Sequence, residues 1–369
     1  MKNILFLHDN LEAGGAEQLR LSLLKTIDRD QYDVRVCCIS RRGMIGEKIQ
    51  RLGFPVDELG LDPHPKNIFT TFRIIKYLRQ QKIDILHTCL FNANLHGRIA
   101  GYLCRIPRMI SEIHGQHYEF KGLRYLPHLF AERLLFRLSD AIICCSERSR
   151  EDIIKQERLS PERVIAITNC IDPSLYQLTQ SRNSLREKLG IGDEPALITV
   201  ASFWKMKGHI YLLEALSELK RQGYVFKWIC AGDGPLKENI RSSCLDLGLA
   251  KETVFLGRVS NIADYLNASD LFILPSLSEA LPIALLEAMY MGLPCIVTDV
   301  GFNKELIKEN VNGIVIKPRD KEGLKRAIIF CFKNKELIKA FGCNNKAKVE
   351  KEYLLSDNYT RRFYEIWEN

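Results

Sequence analysis

Short apolar runs alternate with longer amphipathic segments along almost the whole chain of 369 residues. Apolar runs bounded by turn residues are typical of buried strands, whereas apolar positions that recur every three to four residues indicate helices. The first half has predicted strands at 3–8, 34–39, 54–56, 83–88, 109–113, 141–145 and 164–168. The second half has them at 197–202, 227–231, 254–256, 271–274, 295–298 and 313–316. Because strands that alternate with helices pair in parallel, we predict an α/β protein with two successive doubly wound, Rossmann-like sheets.

A polar segment at 173–193 separates the two series of strands and is predicted to be a linker. A chain of this length favours two domains, because single hydrophobic cores stop growing at about 250–300 residues. The predicted boundaries are 1–172 for the first domain and 194–355 for the second.

Composition and cysteine usage narrow the class of protein. An apolar share of 46% and a charged share of 27% are ordinary for a soluble globular protein. The sequence has no run of eighteen apolar residues and no hydrophobic leader, so we expect a cytoplasmic protein without a membrane-spanning helix. Its twelve cysteines form no C-x-x-C pair and no zinc-type spacing with histidine, so we expect reduced thiols without disulfides or zinc.

The net charge of +8 includes one notable basic stretch. Residues 98–137 carry seven Lys or Arg against three Glu, interspersed with aromatic residues and leucines. Such a pattern fits a peripheral helix on an anionic membrane surface, and it fits a core-facing helix with a solvated basic face equally well. No nucleic-acid motif accompanies the basic residues, so we expect no nucleic-acid partner.

The candidate chemistry is concentrated between two predicted strands, in a loop at 275–282 and a helix at 283–291. Glu279 lies at the predicted helix entrance, and Glu287 projects from the helix about one turn in. A helix entrance offers unpaired N–H groups and a positive dipole end, which suit a phosphate. Two carboxylates beside it can accept hydrogen bonds from sugar or ribose hydroxyls. The combination predicts a nucleotide-sugar pocket; the alternative is a solvated loop acid beside the polar face of an ordinary helix.

The same stretch resembles the E-x7-E region of retaining glycosyltransferases with the GT-B fold, most closely glycosyltransferase family 4. That family typically has S-E-G-F-G-x-x-x-x-E-A where this chain has SEALPIALLEA at 278–288. Both acids match, but the glycine-rich part does not, and Pro282 lacks an N–H. The resemblance implies two Rossmann-like domains facing each other across a substrate cleft, with a final helix at 356–369 crossing back to the first domain.

The resemblance also implies roles for residues of this motif. Glu279 is expected to act as a catalytic residue at the hydroxyls of the donor sugar. Glu287 is expected at the ribose hydroxyls, and Leu281 in the donor site.

In the first domain the resemblance rests on a G-G-A-E sequence after the first strand and on a histidine after the fifth. Glycines there let backbone N–H groups approach a phosphate or a hydroxyl closely. Gly15 is expected on the donor side, and Gly14 and Glu17 on the acceptor side. His114 matches the family's His-Gly or His-Asp, where the imidazole lies near the donor sugar, and is expected to be a catalytic residue. His117 is the alternative and is expected on the acceptor side.

In the second domain, residues 200–208 resemble the family segment V-G-R-L-x-x-x-K-G, whose Arg and Lys bind the donor diphosphate. Lys207 matches the family lysine, and Ser202 stands where the arginine is expected. Lys205 is a candidate substitute, as a point charge without the bidentate fork of arginine. Arg258 follows a later strand and is either a phosphate ligand or a solvated surface residue.

No D-x-D motif that holds a metal on a diphosphate appears at a strand end. We therefore expect no metal and no cofactor, with Lys207 and helix N–H groups stabilising the departing diphosphate. Retention of configuration is implied by the resemblance. Because no carboxylate nucleophile of the retaining-hydrolase type is evident, front-face attack assisted by the departing phosphate is the expected route.

The predicted function is retaining transfer from a nucleotide-diphosphate sugar to a hydroxyl of a saccharide or lipid-linked acceptor, in bacterial surface polysaccharide or glycolipid assembly. One alternative is a sugar-nucleotide epimerase of similar fold, which needs more acid and base groups than His114 and the two glutamates provide. The other is a non-catalytic partner subunit, which the Ser202 substitution and the altered loop keep open.

Overall fold

The computed structural model of the chain describes residues 1–64, 67–115 and 133–369. The chain divides into two compact units, one of residues 1–169 with 355–369 and the other of residues 170–354. Residues 173–193 all belong to the second unit and include a helix, Arg182–Lys188. That helix forms because Ser181 caps its first turn and Leu185 is buried beneath it, local signals that the polar composition obscures.

The first unit contains a seven-stranded parallel sheet in the order β3-β2-β1-β4-β5-β6-β7. Its strands are β1 (Lys2–His8), β2 (Tyr32–Cys38), β3 (Val56–Glu58), β4 (Ile85–Cys89), β5 (Arg108–Ile113), β6 (Ala141–Cys144) and β7 (Val164–Ala166). Its helices include α1 (Gly15–Thr26), α2 (Gly43–Arg51), α3 (Ile68–Arg79), α4 (Phe91–Cys104) and α5 (Glu147–Glu157). The strand order reverses between β1 and β4, and doubly wound sheets bind ligands outside the carboxyl ends of strands at such a point.

The second unit contains a six-stranded parallel sheet in the order β10-β9-β8-β11-β12-β13. Its strands are β8 (Ala196–Val200), β9 (Lys227–Ala231), β10 (Thr253–Gly257), β11 (Leu271–Leu274), β12 (Cys295–Thr298) and β13 (Gly313–Ile316). Its helices include α6 (Arg182–Lys188), α7 (His209–Arg221), α8 (Lys237–Asp246), α9 (Ile262–Ala268), α10 (Ile283–Tyr290), α11 (Asn303–Leu306), α12 (Lys321–Lys333) and α13 (Lys335–Glu352). The order reverses between β8 and β11, so the same rule points to the carboxyl ends of these two strands.

The last helix, α14 (Asp357–Glu368), packs within the first unit. Trp367 is fully buried there, with its ring centroid 5.9 Å from Phe6 and 5.1 Å from Tyr32. At the end of the helix, Glu368 accepts a hydrogen bond from Lys2 Nζ at 2.6 Å and another from the Tyr32 hydroxyl at 2.9 Å.

All thirteen predicted strands are present, with ends that differ by at most two residues from the predictions. The apolar runs are buried as expected; Leu5, Leu7 and Leu86 have no exposed surface. β3 begins at Val56 instead of residue 54, because Pro55 has no N–H to donate to the sheet. The fold is therefore the predicted α/β arrangement of two doubly wound sheets.

Two further features of the structure concern the state of the cysteines and the apolar character of the helices. All twelve cysteines are free thiols, and ten of them are buried. Among the described residues, no helix has the length and apolar character needed to cross a membrane.

Candidate functional site

Two predicted site residues of the second unit meet beyond the carboxyl ends of neighbouring strands. Lys207 ends a short 3-10 turn that follows β8, and Glu279 lies in the loop that follows β11. Lys207 Nζ donates a hydrogen bond to Glu279 Oε1 at 2.7 Å, and Ser276 Oγ donates to the same oxygen at 2.6 Å. The lysine side chain stays 20% exposed while that of the glutamate is 6% exposed. The pair therefore presents a fixed ammonium group beside a fixed carboxylate.

The backbone holds these two loops together. Leu277 N–H donates to the Met206 carbonyl at 2.6 Å, which joins the Glu279 loop to the Lys207 turn. Gly208 has φ +67° and packs so closely on the Pro275 carbonyl that a Cβ would overlap it. Gly301, with φ +54°, lies equally close to the Glu279 carbonyl. A side chain at either glycine would strain the backbone and displace the site loops.

Glu287 lies on α10 as predicted, and its side chain is buried, so the alternative of a solvated polar helix face is wrong. The Tyr176 hydroxyl donates a hydrogen bond to Glu287 Oε1 at 2.9 Å. Burial raises the pKa of Glu287 to about 7, although the tyrosine hydrogen bond opposes the rise. A carboxyl group that is half-ionised near neutrality gains from hydroxyl donors that stabilise its charged form. Sequence reasoning missed Tyr176, which lies in the polar segment at 173–193 that was predicted to be a linker.

The remaining residues predicted for the donor site differ in accessibility. Leu281 is buried beside Glu279, whereas Lys205 and Arg258 are exposed. Arg258 lies close enough to Asp233 to stabilise its carboxylate electrostatically. Ser202, at the position of the family arginine, is exposed in the loop after β8.

In the first unit, the predicted glycines form the entrance of α1. Gly14 caps the helix with an extended backbone, and Gly15 is its first residue. Glu17 is buried and folds back so that a Cβ on Gly14 would overlap its carboxylate. A glycine at this position therefore leaves room for the glutamate. His117 lies outside the described residues.

His114 belongs to a cluster of polar side chains on one face of the first sheet. His8, Cys89 and Glu112 are in register across β1, β4 and β5, and His87 lies two residues before Cys89. Because side chains alternate along a strand, all of these point to the same face. His114 Nε2 lies 2.9 Å from Glu112 Oε1, which brings the predicted residue into the cluster.

Arg20 of α1 supplies the positive charge at the centre of this cluster. Its guanidinium pairs with Glu112 Oε2 and donates a hydrogen bond from Nε to His8 Nε2 at 3.2 Å. Burial alone would raise the pKa of Glu112, but Arg20 and the neighbouring histidines hold it well below its usual range. Burial lowers the pKa of His87 to about 4 and that of His8 well below its usual value. The cluster therefore combines one carboxylate, one guanidinium and neutral imidazoles at His8 and His87.

Sequence reasoning found His114 but missed Arg20, Glu112, His87 and His8. The signal was available for three of them, since His8, His87 and Glu112 are polar residues inside otherwise apolar strand runs. Buried polar side chains need partners, so three such residues near strand ends indicate a shared network.

The described residues contain one group with the composition of a metal site. Cys89 Sγ, a Glu112 oxygen and a His114 ring nitrogen lie within 4.8 Å of one another. The surroundings fit a cation poorly, because Arg20 already neutralises Glu112. Burial also raises the pKa of the Cys89 thiol well above its usual value, and the neutral thiol is a weak ligand.

Comparisons with known proteins identify the family of the chain. The family described as Glycosyltransferase Family 4 matches residues 13–175, and that described as Glycosyl transferases group 1 matches residues 181–348. The UDP-Gal:alpha-D-GlcNAc-diphosphoundecaprenol alpha-1,3-galactosyltransferase of Escherichia coli is 26% identical, over 90% of this chain and 88% of that protein. The N-acetyl-alpha-D-glucosaminyl L-malate synthase of Bacillus anthracis is 25% identical, over 82% and 80%. The crystal structure of Anabaena HepE in complex with UDP and glucose is 20% identical, with a TM-score of 0.84 over 100% of both chains.

The two parallel sheets and the likeness to HepE show the GT-B fold, and the family matches show a glycosyltransferase. The two family matches together cover nearly all of the sequence, and the chain belongs to the group 1 glycosyl transferases of glycosyltransferase family 4.

Proposed function

We propose that this chain transfers a hexose from a UDP-sugar to a hydroxyl of a lipid-linked saccharide, with retention of configuration and without a metal ion. The observation that carries the proposal is the Lys207–Glu279 pair, held in the second unit by contacts among the loops that follow β8, β11 and β12. The name of one similar enzyme and the ligands of one similar crystal structure support this choice of donor and acceptor. The name of the Escherichia coli enzyme specifies a UDP-sugar and a diphosphoundecaprenol-linked acceptor, and HepE was crystallised with UDP and glucose.

Each of the three residues has a chemical task in this proposal. Lys207 Nζ has three N–H donors and uses one on Glu279, so others remain for the oxygens of the donor diphosphate. Glu279 accepts hydrogen bonds from hydroxyls of the donor sugar while it keeps the lysine in place. Glu287 accepts hydrogen bonds from the ribose hydroxyls. Positive charge at the diphosphate lowers the barrier, because negative charge develops there as the sugar leaves.

Retention and metal independence follow from the same arrangement in our proposal. The acceptor hydroxyl attacks from the face that the diphosphate leaves, and the departing phosphate oxygen takes its proton. Lys207 and the N–H groups at the start of α10 stabilise the diphosphate in the place of a metal ion.

The test is a transfer assay with a UDP-hexose panel and a short-chain polyprenyl-diphosphate GlcNAc acceptor, in buffers with and without EDTA. We expect an α-linked product from an α-linked donor, identified by the anomeric coupling in proton NMR, at a rate that EDTA does not change. A β-linked product would contradict retention, and loss of activity in EDTA would contradict metal independence. Conversion of the UDP-sugar without transfer would favour an epimerase.

The matched variants, Lys207→Ala and Lys205→Ala, each replace one lysine of the same turn. Removing one preorganised donor to a developing charge typically costs about 100- to 1,000-fold in rate, and we expect this for Lys207→Ala. Because the proposal assigns the diphosphate to Lys207 and not to Lys205, Lys205→Ala is expected to keep most of the activity. Equal losses in both variants would break the assignment of Lys207 as the diphosphate ligand.

We also propose that the first unit associates with an anionic membrane surface, where a lipid-linked acceptor would be located. Part of the basic stretch at 98–137 lies outside the described residues, but α3 offers independent support. Phe69 and Phe72 are 75% and 59% exposed on one face of the helix. Arg73 and Lys76 continue that face, so apolar and basic groups lie side by side as in interfacial helices.

Sedimentation with phosphatidylglycerol vesicles tests this association. We expect the wild-type chain to sediment at low salt, less so as salt rises, and the Phe69→Ser/Phe72→Ser variant to sediment weakly. Val225→Ser removes a residue that is 71% exposed in the second unit and serves as the control. Equal sedimentation of the double variant and the wild type would exclude α3 from the contact.

A further inference from the structure

Glu112 contacts His114 with one oxygen and is fixed through the other. Its Oε1 lies 2.9 Å from His114 Nε2. Its Oε2 pairs with Arg20 and lies 3.1 Å from His87 Nε2. The Glu112 side chain is only 5% exposed, so neither oxygen is free to rotate towards solvent. Glu112 is therefore a rigid acceptor for His114.

The protons of the network can be assigned from its donors and acceptors. Trp367 Nε1 donates a long hydrogen bond of 3.4 Å to His87 Nδ1, so that nitrogen carries the lone pair. Burial lowers the pKa of His87 to about 4, so at neutral pH its single proton is on Nε2, facing Glu112. An ionised carboxylate only accepts hydrogen bonds. In a neutral His114 ring the proton is therefore favoured on Nε2, the nitrogen that lies 2.9 Å from Glu112 Oε1.

The other ring nitrogen of His114 lacks a partner. Both ring nitrogens are buried and make no hydrogen bond within residues 1–64, 67–115 and 133–369, but Nε2 lies 2.9 Å from the Glu112 carboxylate, and the structure shows no such close polar contact for Nδ1. Buried polar atoms are rarely left unpaired, and this one lies just beyond the carboxyl end of β5. In the neutral ring with its proton on Nε2, Nδ1 is a hydrogen-bond acceptor, which suits a hydroxyl.

We propose that Glu112 is a positioning residue: it holds His114 as the Nε2–H tautomer, so that Nδ1 accepts a hydrogen bond from a hydroxyl of the donor sugar. Arg20 and His87 keep Glu112 in place, and Trp367 links α14 to the same network through His87. This inference rests on the proposed function for the identity of the hydroxyl, and on the contacts within the first unit for the tautomer.

The tautomer is measured directly by long-range proton–nitrogen NMR on the wild-type chain labelled with 15N-histidine, with His114→Asn used to assign the signal. We expect the His114 signal of the Nε2–H tautomer. The Nδ1–H tautomer, or a doubly protonated ring, would overturn the proposal whether or not sugar transfer is observed. The measurement therefore separates this inference from the proposed function.

Steady-state kinetics of the Glu112→Asp variant provide a second test. The aspartate keeps the negative charge that pairs with Arg20, but its side chain is one methylene shorter and reaches less far towards His114. A displacement of about 1 Å at an active site can cost about 100-fold in rate, so we expect a fall in kcat of that order with KM for the UDP-sugar unchanged. Glu157→Asp is the matched control, a buried carboxylate of the same unit 3.7 Å from its arginine, Arg133. Wild-type kcat in a folded Glu112→Asp variant would overturn the proposal.

Discussion

Glu112 in the first unit and Glu287 in the second are both buried carboxyl groups, yet their pKa values move in opposite directions. Glu112 pairs with the guanidinium of Arg20 and faces two histidines, and these hold its pKa well below the usual range against the effect of burial. Glu287 has a tyrosine hydroxyl as its described hydrogen-bond donor, and burial raises its pKa to about 7. The partner, more than the depth of burial, decides whether a buried carboxyl group is charged.

The difference separates two kinds of site residue. Glu112 is ionised and fully engaged, so it can hold a neighbouring side chain without titrating. Glu287 is incompletely stabilised, so it gains most from a ligand that brings hydroxyl donors. The following predictions test this contrast, in order of decreasing effect.

Glu112→Gln is expected to destabilise the protein strongly. Removing one partner of a buried ion pair leaves the other charge unpaired, which typically costs about 3–5 kcal/mol. Because the folded pKa of Glu112 lies below the unfolded value, its contribution is present above that unfolded value and is lost as pH falls through the folded pKa. Urea unfolding at pH 7 measures the change. A loss below about 1 kcal/mol would show that Arg20 and Glu112 are not a coupled pair.

Glu287→Gln is expected to stabilise the protein, whereas Glu112→Gln destabilises it. The folded pKa of Glu287 lies above its unfolded value, so ionisation destabilises the fold as pH rises from 4.5 through about 7. Glutamine can still accept the Tyr176 hydrogen bond but carries no charge. We expect a gain of about 3 kcal/mol at pH 8 that shrinks to about 1 kcal/mol at pH 5. Equal effects at both pH values would contradict the raised pKa.

Binding of a UDP-sugar is expected to weaken as the pH falls. Ribose hydroxyls favour the charged form of Glu287, so binding requires loss of its proton below the pKa. Between pH 8 and pH 6 the dissociation constant should rise about tenfold, because one pKa unit corresponds to a factor of ten. Calorimetry with a UDP-sugar, whose diphosphate charge is constant in this range, measures the change. The Glu287→Gln variant should bind the UDP-sugar more weakly than wild type, with a dissociation constant that does not change between pH 8 and pH 6.

Tyr176→Phe is expected to shift the pH dependence of UDP-sugar binding to higher pH. The tyrosine hydroxyl lowers the pKa of Glu287, and a hydrogen bond to a carboxylate contributes about 1.5–3 kcal/mol at most. We expect the midpoint of the binding curve to rise by about one pH unit. Tyr290→Phe, which alters the ring 5.7 Å from Tyr176, is a control expected to leave the midpoint unchanged.

The sequence was sufficient for the fold, and it singled out two side chains that the structure brings into contact. Alternating apolar runs locate every strand because burial of a parallel sheet requires them. Glu279 was singled out by its place at a helix entrance, and Lys207 by its match to a family segment. The structure brings their side chains together, because each follows a strand and neighbouring strand ends meet at one edge of a sheet.

Other features depend on contacts between distant parts of the chain. Arg20 and Glu112 are 92 residues apart, and Tyr176 and Glu287 are 111 residues apart. No local pattern identifies such partners. The raised pKa of Glu287 also depends on the removal of solvent around it, which only the packed structure shows.

The central claim is that the second unit binds a UDP-sugar through Lys207, Glu279 and Glu287 without a metal ion. A thermal-shift panel of UDP, GDP and ADP, and of their hexose conjugates, tests it most directly, with and without EDTA. A ligand that binds only the folded state at 100 times its dissociation constant stabilises it by about 2.7 kcal/mol. We predict that the uridine series raises the midpoint equally in both buffers and that Lys207→Ala and Glu287→Ala abolish the shift. No shift with any nucleotide, or an undiminished shift in both variants, would contradict the claim.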